Sequence, residues 1–325
     1  MASPRESTQR PSQMARDRHW AMCEEAGKTD DVSLMAEAIS IASGPNPPNP
    51  LKSTLEDCLL SALKHQSPRV LTYLLDDQGV DVNMVHPGLI GDYLGERKPS
   101  IELLEILIAR GWDIDRGGRQ RERFRTDPPL LWRVVPYHDL VEWCLDHGAS
   151  VYVPGDTPPR DARGIGPVSR RPLLESAAVS GSVETFELLR SRGAPLTGRT
   201  LHQAVQYAAY NAPPQGSEPS AYYMQRMGMV RYLVDVVGID VNAVESWPGE
   251  VGGTPLCYVA YRPYQGDIRE LVWFLLDRGA DLNYTGNLPG RHDFHSALEW
   301  GRDNNPAFMK AVEEWQARQR TDGAT

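Results

Sequence analysis

The chain has 325 residues, of which 41% are hydrophobic and 24% charged, so it is long enough to bury one large core or two ordinary ones. Lysine plus arginine number 34 and aspartate plus glutamate 43, and the net charge of −9 argues against a protein that coats nucleic acid or anionic membrane with its whole surface. The four cysteines show no CxxC spacing, so neither a disulfide framework nor a structural zinc site is indicated, and a reducing environment fits best.

The N-terminal segment is polar, and no window of the chain approaches the 18 or so consecutive apolar residues of a membrane span. The N-terminal segment lacks the apolar stretch of a signal peptide, and its acidic residues Glu6 and Asp17 disfavour an organellar transit peptide. We therefore expect an intracellular protein, cytoplasmic or nuclear. Its expected organisation is a disordered tail at residues 1 to 15, a folded array at residues 16 to 316 that begins with a helical cap, and a polar tail at residues 317 to 325.

A short pattern recurs along the chain: an apolar pair, two or three polar residues, a glycine and a short alternating tail. It is carried by LLDDQGVDVN (74 to 83), LIARGWDID (107 to 115), CLDHGASV (144 to 151), LLRSRGAPL (188 to 196), LVDVVGIDVN (233 to 242) and LLDRGADLN (275 to 283). The pattern predicts a helix that ends at a left-handed glycine and is followed by a short extended strand. The glycines concerned are Gly79, Gly111, Gly148, Gly193, Gly238 and Gly279.

A second pattern precedes the glycine tails and predicts a pair of short helices. In residues 171 to 196, Gly181 separates a first helix with a small apolar face from a second helix whose apolar stripe includes Phe186. Further along, Thr254 can cap a helix whose first turn begins with Pro255, where a missing amide hydrogen costs nothing. Each unit therefore reads strand, helix, turn, helix.

These segments resemble the ankyrin repeat, whose TPLHxAAxxG...VxxLLxxGADVN pattern is matched closely by residues 172 to 196 and 254 to 283. TLHQAV (200 to 205) matches the opening of another repeat, and residues 296 to 315 look like a closing one. The resemblance covers residues 16 to 316. It implies an all-α solenoid of about seven stacked helix pairs, caps included, with short finger hairpins between the repeats.

The repeat spacings mostly exceed the roughly 33 residues usual for that family, and the excess falls in four segments. These segments are rich in proline, glycine and charge, so we expect loops rather than additional helices. They are residues 116 to 129, 153 to 171, 208 to 223 and 244 to 253. A small-molecule pocket beneath the second and third, lined by the tyrosine-rich stretch 207 to 223, is one alternative to a protein-binding role.

The first of these loops holds five arginines and one acid between residues 116 and 125, and we call this segment the arginine finger. Guanidinium groups suit bidentate contacts to carboxylate and phosphate. If the segment is extended, alternation places four arginines on one side, namely Arg119, Arg121, Arg123 and Arg125. Two interpretations stay open: a docking patch for an acidic peptide, a phosphorylated segment or a nucleic-acid backbone, and a solvated loop.

A second candidate surface follows from the resemblance. In ankyrin repeats the two residues before the mid-repeat glycine commonly face the partner, and the matching positions are Lys64, His65, Val179, Ser180, Tyr261 and Arg262. Tyrosine and arginine are frequent hot-spot residues in interfaces. Trp247 is a further partner-binding candidate, and its alternative role is to pack on Pro248 and a neighbouring finger.

Motifs for catalysis and metal binding are weak. His292 and His295 lie together in GRHDFH, but HxxH without a third ligand at helical spacing does not define a metal site. The resemblance implies a structural role for His202, hydrogen-bonded to a neighbouring finger, and the apolar pattern around Cys144 and Cys257 predicts buried inert thiols. Neither GxxxxGK[ST] nor GxSxG is present, so we expect no catalytic residue, metal or cofactor.

The expected function is that of a monomeric, non-catalytic scaffold or adaptor. It would bind a protein partner, acidic or phosphorylated, through the concave face and the fingers, with no role for a membrane. This inference is by analogy, because a fold supports many functions. Two alternatives remain: an accessory protein or enzyme of a small-molecule, secondary-metabolite-like pathway, and a nucleic-acid-associated regulator that uses the arginine finger.

Overall fold

The structure is a computed structural model that describes residues 13–92, 98–116, 120–122, 125–126, 128–152, 172–244, 246–247, 250–288 and 293–322. These residues are mostly helical, which confirms the all-α prediction. Their strands form three short, two-stranded antiparallel hairpins, as predicted. The chain divides into two compact units, the first comprising Met1–Val134 with Trp143–Ala149 and the second Val135–Glu142 with Ser150–Thr325.

The first unit begins with the predicted helical cap, which starts at Gln13. Its helices are α1 (Gln13–Thr29), α2 (Val32–Ala42), α3 (Leu51–His65), α4 (Pro68–Asp76), α5 (Pro87–Asp92), α6 (Ile101–Ile108) and α7 (Leu130–Arg133); α8 (His138–Asp146) contributes residues to both units. Strands β1 (Gln120–Glu122) and β2 (Arg125–Thr126) form a hairpin. Helices α1 and α3 pack closely, since a Cβ at Gly27 would lie 2.2 Å from the Ser61 hydroxyl oxygen.

The second unit continues the alternation of helix pairs and short hairpins. Its helices are α9 (Leu173–Ser180), α10 (Val183–Ser191), α11 (Thr200–Tyr210), α12 (Ala221–Arg231, continued by a π-helical turn at Tyr232–Val236), α13 (Pro255–Tyr261), α14 (Arg269–Asp277), α15 (Ala297–Asn304) and α16 (Pro306–Asp322). Strands β3 (Ser246–Trp247) and β4 (Glu250–Val251) form one hairpin, and β5 (Thr285–Gly286) and β6 (His295–Ser296) another.

The predicted loop at residues 208 to 223 is too long at both ends. Helix α11 runs on to Tyr210 because Ala208 and Ala209 are buried and continue its apolar face. Helix α12 starts at Ala221 because the Ser220 side chain accepts a hydrogen bond from the Tyr223 amide at 3.1 Å, which caps the helix. The connecting loop therefore comprises residues 211 to 220.

The left-handed glycines are confirmed. All six predicted positions have φ between 62° and 91°, and each follows the end of a helix. After each glycine, the next amide donates to a carbonyl in the last turn of that helix, as in the 3.0 Å bond from Ala280 N to Leu275 O. This bond completes the C-cap, and the absent glycine Cβ removes the steric penalty of φ > 0.

The extended strand predicted after each glycine is wrong. Four of the six tails turn instead, because an aspartate side chain accepts a hydrogen bond from the amide two residues on. The pairs are Asp81 with Asn83 (2.9 Å), Asp113 with Asp115 (3.0 Å), Asp240 with Asn242 (2.9 Å) and Asp281 with Asn283 (2.8 Å). The DxN and DxD spacing in the tails is therefore a turn signal rather than a strand signal.

Consecutive tails in the second unit are hydrogen-bonded to each other. The Asn242 amide nitrogen donates to Gly279 O at 2.9 Å, and its oxygen accepts from the Asp281 amide at 2.8 Å. Just before these tails, the Arg278 side chain donates two hydrogen bonds to the Asp235 carboxylate, of 2.7 and 3.0 Å. The first unit repeats this ion pair between Arg110 and Asp76, with bonds of 2.7 and 2.6 Å.

A fully buried arginine ties two helix pairs together. The Arg226 guanidinium donates to the carbonyl oxygens of Ala178, at 3.4 Å, and Gly181, which are left unpaired where α9 ends. Burial lowers the pKa of Arg226, and the ring of Tyr222 lies 5.1 Å from the guanidinium carbon. The side chain therefore acts as a C-cap supplied by a neighbouring helix.

We expect Gly279→Ala to lower the free energy of unfolding by about 1–2 kcal/mol, because a Cβ strains the left-handed backbone. No atom lies within 4 Å of that Cβ, so the loss measures the backbone alone. The matched control is Gly228→Ala within α12, where the Cβ also meets no atom within 4 Å. That change should stabilise by about 0.5–1 kcal/mol. Urea denaturation measures the free energy of unfolding of both variants. Equal changes in the two variants would contradict the prediction.

Phe186→Ala should destabilise the second unit by about 3–5 kcal/mol, because the ring is fully buried and its removal leaves a cavity. The control is Val236→Ala, since Val236 is 70% exposed and its truncation should change stability by less than about 0.5 kcal/mol. Thermal and urea unfolding followed by circular dichroism measures both. A small effect at Phe186 would mean that α10 is not part of the core.

Candidate functional site

Aromatic side chains cluster where α11 and α13 end and α15 begins, in the second unit. We call this cluster the aromatic surface, and its members are Tyr207, Tyr210, Tyr261, Arg262, Tyr264, His295 and Trp300. Two of these residues, Tyr261 and Arg262, were predicted from the sequence as partner-binding residues. The helix ends position the others, which come from separate parts of the chain.

Tyr210 is the most prominent ring of the aromatic surface and is 52% exposed. It packs edge to face against Tyr264, with centroids 5.1 Å apart, and lies 6.1 Å from Tyr207. The Arg262 guanidinium carbon lies 5.8 Å from the Tyr210 centroid, within the range of a cation–π interaction. Tyr264 is buried beneath the ring, so Tyr210 is held from below and remains open to solvent on the other side.

Tyr261 forms the second half of the aromatic surface. Its ring packs edge to face on Trp300 at 5.0 Å, and His295 lies against the same indole at 4.5 Å. The backbone there is fixed by Asn305, which is buried and whose amide nitrogen donates to the carbonyl of Arg262 at 2.7 Å. The half-exposed tyrosine and the exposed arginine are therefore presented by a hydrogen-bonded helix end.

Sequence reasoning missed the contribution of Tyr210 and Trp300. Tyr210 lies in the tyrosine-rich stretch that was assigned to an alternative pocket, and it instead meets Arg262 across the gap between two helix ends. Trp300 comes from the closing helix pair. The signal for Tyr210 was an aromatic at the end of the first helix of a pair, whereas Trp300 lies in the middle of α15. The contacts of both depend on how the pairs stack.

The candidates Lys64 and His65 lie in the first unit at the end of α3, as expected for a mid-repeat turn. Both side chains are already engaged, since Lys64 donates to the Glu24 carboxylate and His65 Nε2 lies 2.8 Å from the same oxygen. Burial opposes ionisation of Glu24, but these hydrogen bonds hold its pKa below the usual value. A partner would have to compete with this internal pair.

The partner-facing assignment of Val179 is wrong, because its side chain is only 4% exposed and belongs to the core. Ser180 is partly buried, and its hydroxyl donates to Ser176 O at 3.0 Å. Most side chains of α9 are apolar and buried, so the position that the resemblance assigned to a partner faces the protein interior. Trp247 lies in β3 opposite Glu250, and its side chain is outside the described residues.

The arginine finger is not a single extended strand. Strand β1 contains Arg121 and strand β2 contains Arg125, and they run antiparallel with Glu122 opposite Arg125. The one-sided stripe was expected only if the segment is extended, and the antiparallel pairing of β1 with β2 does not meet that condition. Arg119, Arg123 and the side chains of the two strands lie outside the described residues, so the docking role of the finger stays a prediction.

His202 is fully buried and its Nε2 lies 3.0 Å from the carbonyl oxygen of Gly253, next to the β3–β4 hairpin. This contact is the structural role that the resemblance implied. Burial lowers the pKa of His202 to about 4, so the ring is neutral at neutral pH and Nε2 carries the donated proton. Tyr258 packs edge to face on the imidazole at 5.1 Å.

In the described residues the cysteines are buried and no metal-binding group of side chains forms. All four cysteines are buried, and burial raises the pKa of Cys144 to about 12, which confirms the predicted inert thiols at Cys144 and Cys257. His292 lies outside the described residues, and within them no three His, Cys, Asp or Glu side chains meet in a metal-binding group. Among the same residues, no helix has both the length and the apolar character needed to cross a bilayer.

Comparison with known proteins adds no further constraint on this site. No protein-family model matches the chain, and no curated protein matches it.

Lowering the pH should destabilise the second unit through His202. The folded pKa of about 4 lies below the ordinary value of 6.5, so the unfolded chain binds a proton first. The contribution is fully present above pH 6.5 and is lost as the pH falls toward about 4, by about 3 kcal/mol in total. Urea unfolding at a series of pH values measures the slope.

The control variants for this pH dependence are His202→Gln and His295→Gln. The first keeps an amide donor for Gly253 O and removes the titrating ring, so its stability should vary much less between pH 6.5 and 4. The second changes a partly exposed histidine and measures how much of the slope comes from an imidazole other than that of His202. An unchanged slope in His202→Gln would show that another group causes the acid sensitivity.

Proposed function

We propose that this chain is an ankyrin-like repeat protein with a non-catalytic function: a scaffold or adaptor that binds a protein partner through the aromatic surface. Helix pairs, left-handed glycines, short hairpins and hydrogen-bonded tails support the repeat assignment. Helix stacking of this kind aligns equivalent helix ends, so a partner can contact several repeats at once.

The observation that carries the proposal is the exposed Tyr210 ring beside the exposed Arg262 guanidinium. Tyrosine and arginine are enriched among residues that dominate binding energy, and they act best when their geometry is set before binding. Tyr264 supports the Tyr210 ring from beneath, and Asn305 fixes the backbone of Arg262. These contacts set the position of the Tyr210 ring and of the Arg262 backbone before a partner docks.

The charge of Arg262 favours an acidic group on the partner. Among the described residues, Arg262 makes no ion pair, and its carbonyl but not its guanidinium is used by Asn305. Arg269 and Arg278, by contrast, are each paired with a carboxylate. A carboxylate or phosphate of the partner would supply the bidentate partner that Arg262 lacks.

The experiment has two steps. Affinity capture from the native host first identifies a partner protein. The affinity of that partner for the parent chain and for its variants is then measured. Tyr210→Ala and Arg262→Ala should each weaken its affinity about tenfold or more, because each truncates an exposed anchor. Trp20→Ala is the matched control, since Trp20 is 53% exposed in the first unit and Tyr210 is 52% exposed. Circular dichroism confirms that the variants fold.

Two outcomes would contradict the proposal. If Tyr210→Ala and Arg262→Ala bind the captured protein as well as the parent does, the aromatic surface is not the docking site. If Trp20→Ala weakens binding as much as they do, the effect is not specific to this surface. Neutralising the partner's acidic residues should reproduce the effect of Arg262→Ala and add little to it.

A further inference from the structure

Two cysteines lie next to each other where α1 packs against α3 in the first unit. Cys23 belongs to the buried face of α1 and is 2% exposed, and Cys58 belongs to the buried face of α3 and is 0% exposed. They are 35 positions apart in sequence, so no short cysteine spacing marks them as a pair. Only the packing of the two helices brings them together.

The two helices approach closely at this point. The Ser61 hydroxyl, one turn after Cys58, donates to the carbonyl oxygen of Cys23 at 3.0 Å. One turn after Cys23, a Cβ at Gly27 would lie 3.0 Å from the Cβ of Ser61. Disulfides span Cα atoms about 4.4–6.8 Å apart, so a disulfide between two helices needs a close approach through small residues, which α1 and α3 make here.

The two thiol groups interact directly. A hydrogen bond from the Cys58 thiol lowers the pKa of Cys23, while burial and the charge of Asp57 act in the opposite direction. The same bond, followed by burial, raises the pKa of Cys58. Cys23 therefore becomes a thiolate more readily, and Cys58 keeps its proton. In redox-sensitive cysteine pairs one sulfur attacks the oxidant and the neighbouring sulfur resolves the product.

The structure describes all four cysteines, and the other two lie in different environments. Burial, followed by the charge of Asp115, raises the pKa of Cys144 to about 12, and the groups that affect it do not include another cysteine. The sulfur of Cys257 lies 3.4 Å from the Thr254 hydroxyl oxygen, in the second unit. These two buried thiols serve as internal controls for the reactivity of the pair.

We propose that Cys23 and Cys58 are a redox-sensitive pair, which a hydroperoxide converts to a disulfide between α1 and α3. The disulfide closes a loop that contains α2 and joins the first helix pair covalently to the next. In a reducing environment both thiols stay free, and noncovalent contacts alone hold the helices together. This inference does not depend on the proposed function, because the aromatic surface lies in the second unit.

The reaction balances with hydrogen peroxide as the two-electron oxidant. The Cys23 thiolate sulfur attacks one peroxide oxygen and the O–O bond breaks. The leaving hydroxide takes up the proton that the Cys23 thiol released, which gives water and a sulfenic acid. The Cys58 sulfur then attacks the Cys23 sulfur, the S–O bond breaks, and the departing hydroxide leaves with the Cys58 proton as a second water. A dithiol reductant reverses the process by thiol–disulfide exchange.

Access to the pair requires α1 to separate transiently from α3. Both sulfurs are buried, so peroxide reacts with the fraction of molecules in which this helix contact is open. The reaction should therefore be slower than that of an exposed thiol, and urea below the unfolding transition should accelerate it. Once formed, the disulfide opposes the same opening.

The first test treats the full chain with hydrogen peroxide, blocks the remaining thiols with N-ethylmaleimide in denaturant, and digests the chain with trypsin. Cleavage after Lys28 and Lys52 separates the two cysteines, so their disulfide appears as one cross-linked peptide that dithiothreitol splits. We expect this peptide to contain most of the disulfide formed, while Cys144 and Cys257 carry the maleimide. Equal yields of all possible cysteine pairings would show that only unfolded chains react, and would overturn the proposal.

A second test removes the dependence on reaction rate. The chain is brought to equilibrium with oxidised and reduced glutathione in urea below the unfolding transition, and again in urea that unfolds it. The equilibrium constant for the Cys23–Cys58 disulfide should be at least about tenfold larger in the folded chain, because the fold already holds the two sulfurs together. An equal or smaller constant in the folded chain means that the native structure does not favour the bond, and the proposal fails.

Variants assign the role of each sulfur. Cys58→Ala removes the resolving thiol, so peroxide should leave Cys23 as a sulfenic acid that dimedone labels, and the cross-linked peptide should be lost. Cys144→Ala is the matched control, because Cys144 is as buried as Cys58, and the yield of the cross-link should not change. Circular dichroism checks that both variants fold. If Cys144→Ala lowers the yield as much as Cys58→Ala does, the disulfide is not specific to this pair and the proposal fails.

Discussion

The left-handed backbone conformation at six glycines determines where helices end and where the following tails lie. With φ between 62° and 91°, each glycine ends a helix and redirects the chain where an L-residue would be strained. The next amide closes the C-cap, and in four of the six units the tail that follows forms an aspartate turn in place of a strand. That turn brings Asn242 to Gly279 and Asp281, and so one tail is joined to the next.

Buried polar side chains complete these connections by binding backbone carbonyls. Arg226 binds the carbonyls at the end of α9, His202 that of Gly253, and Asn305 that of Arg262. Arg226 and Asn305 each belong to one helix pair and satisfy a carbonyl of another, and His202 satisfies one next to the β3–β4 hairpin. The apolar core supplies most of the free energy, and these bonds fix its register.

One short segment supports the aromatic surface of the second unit. Residues 262 to 268 carry Arg262 and Tyr264, which contact Tyr210, and Asp267, whose amide donates to the carbonyl oxygen of Pro213. This bond joins the segment to the loop after α11, while Tyr210 lies at the end of α11 itself. The aromatic surface is therefore built from two connections that a backbone hydrogen bond holds together, on helical supports.

The sequence by itself determined the features that depend on local chemistry. The C-cap glycines, the helix pairs, the short hairpins and the buried cysteines were all predictable, because each depends on a few neighbouring residues. The aspartate turns were equally local, and the DxN signal was present but was interpreted as a strand. The pairing of Tyr261 with an exposed arginine at the same helix end was also predicted.

Tertiary structure alone decided which of the predicted positions are accessible. Val179 and Tyr261 share one position in the repeat pattern, yet the first is buried and the second half-exposed, because exposure depends on the neighbouring helix pair. Tyr210 and Arg262 are 52 positions apart in sequence, and their contact follows from how α11 and α13 stack. The hydrogen bond from the Asp267 amide to Pro213 O is likewise a long-range contact that local propensity does not encode.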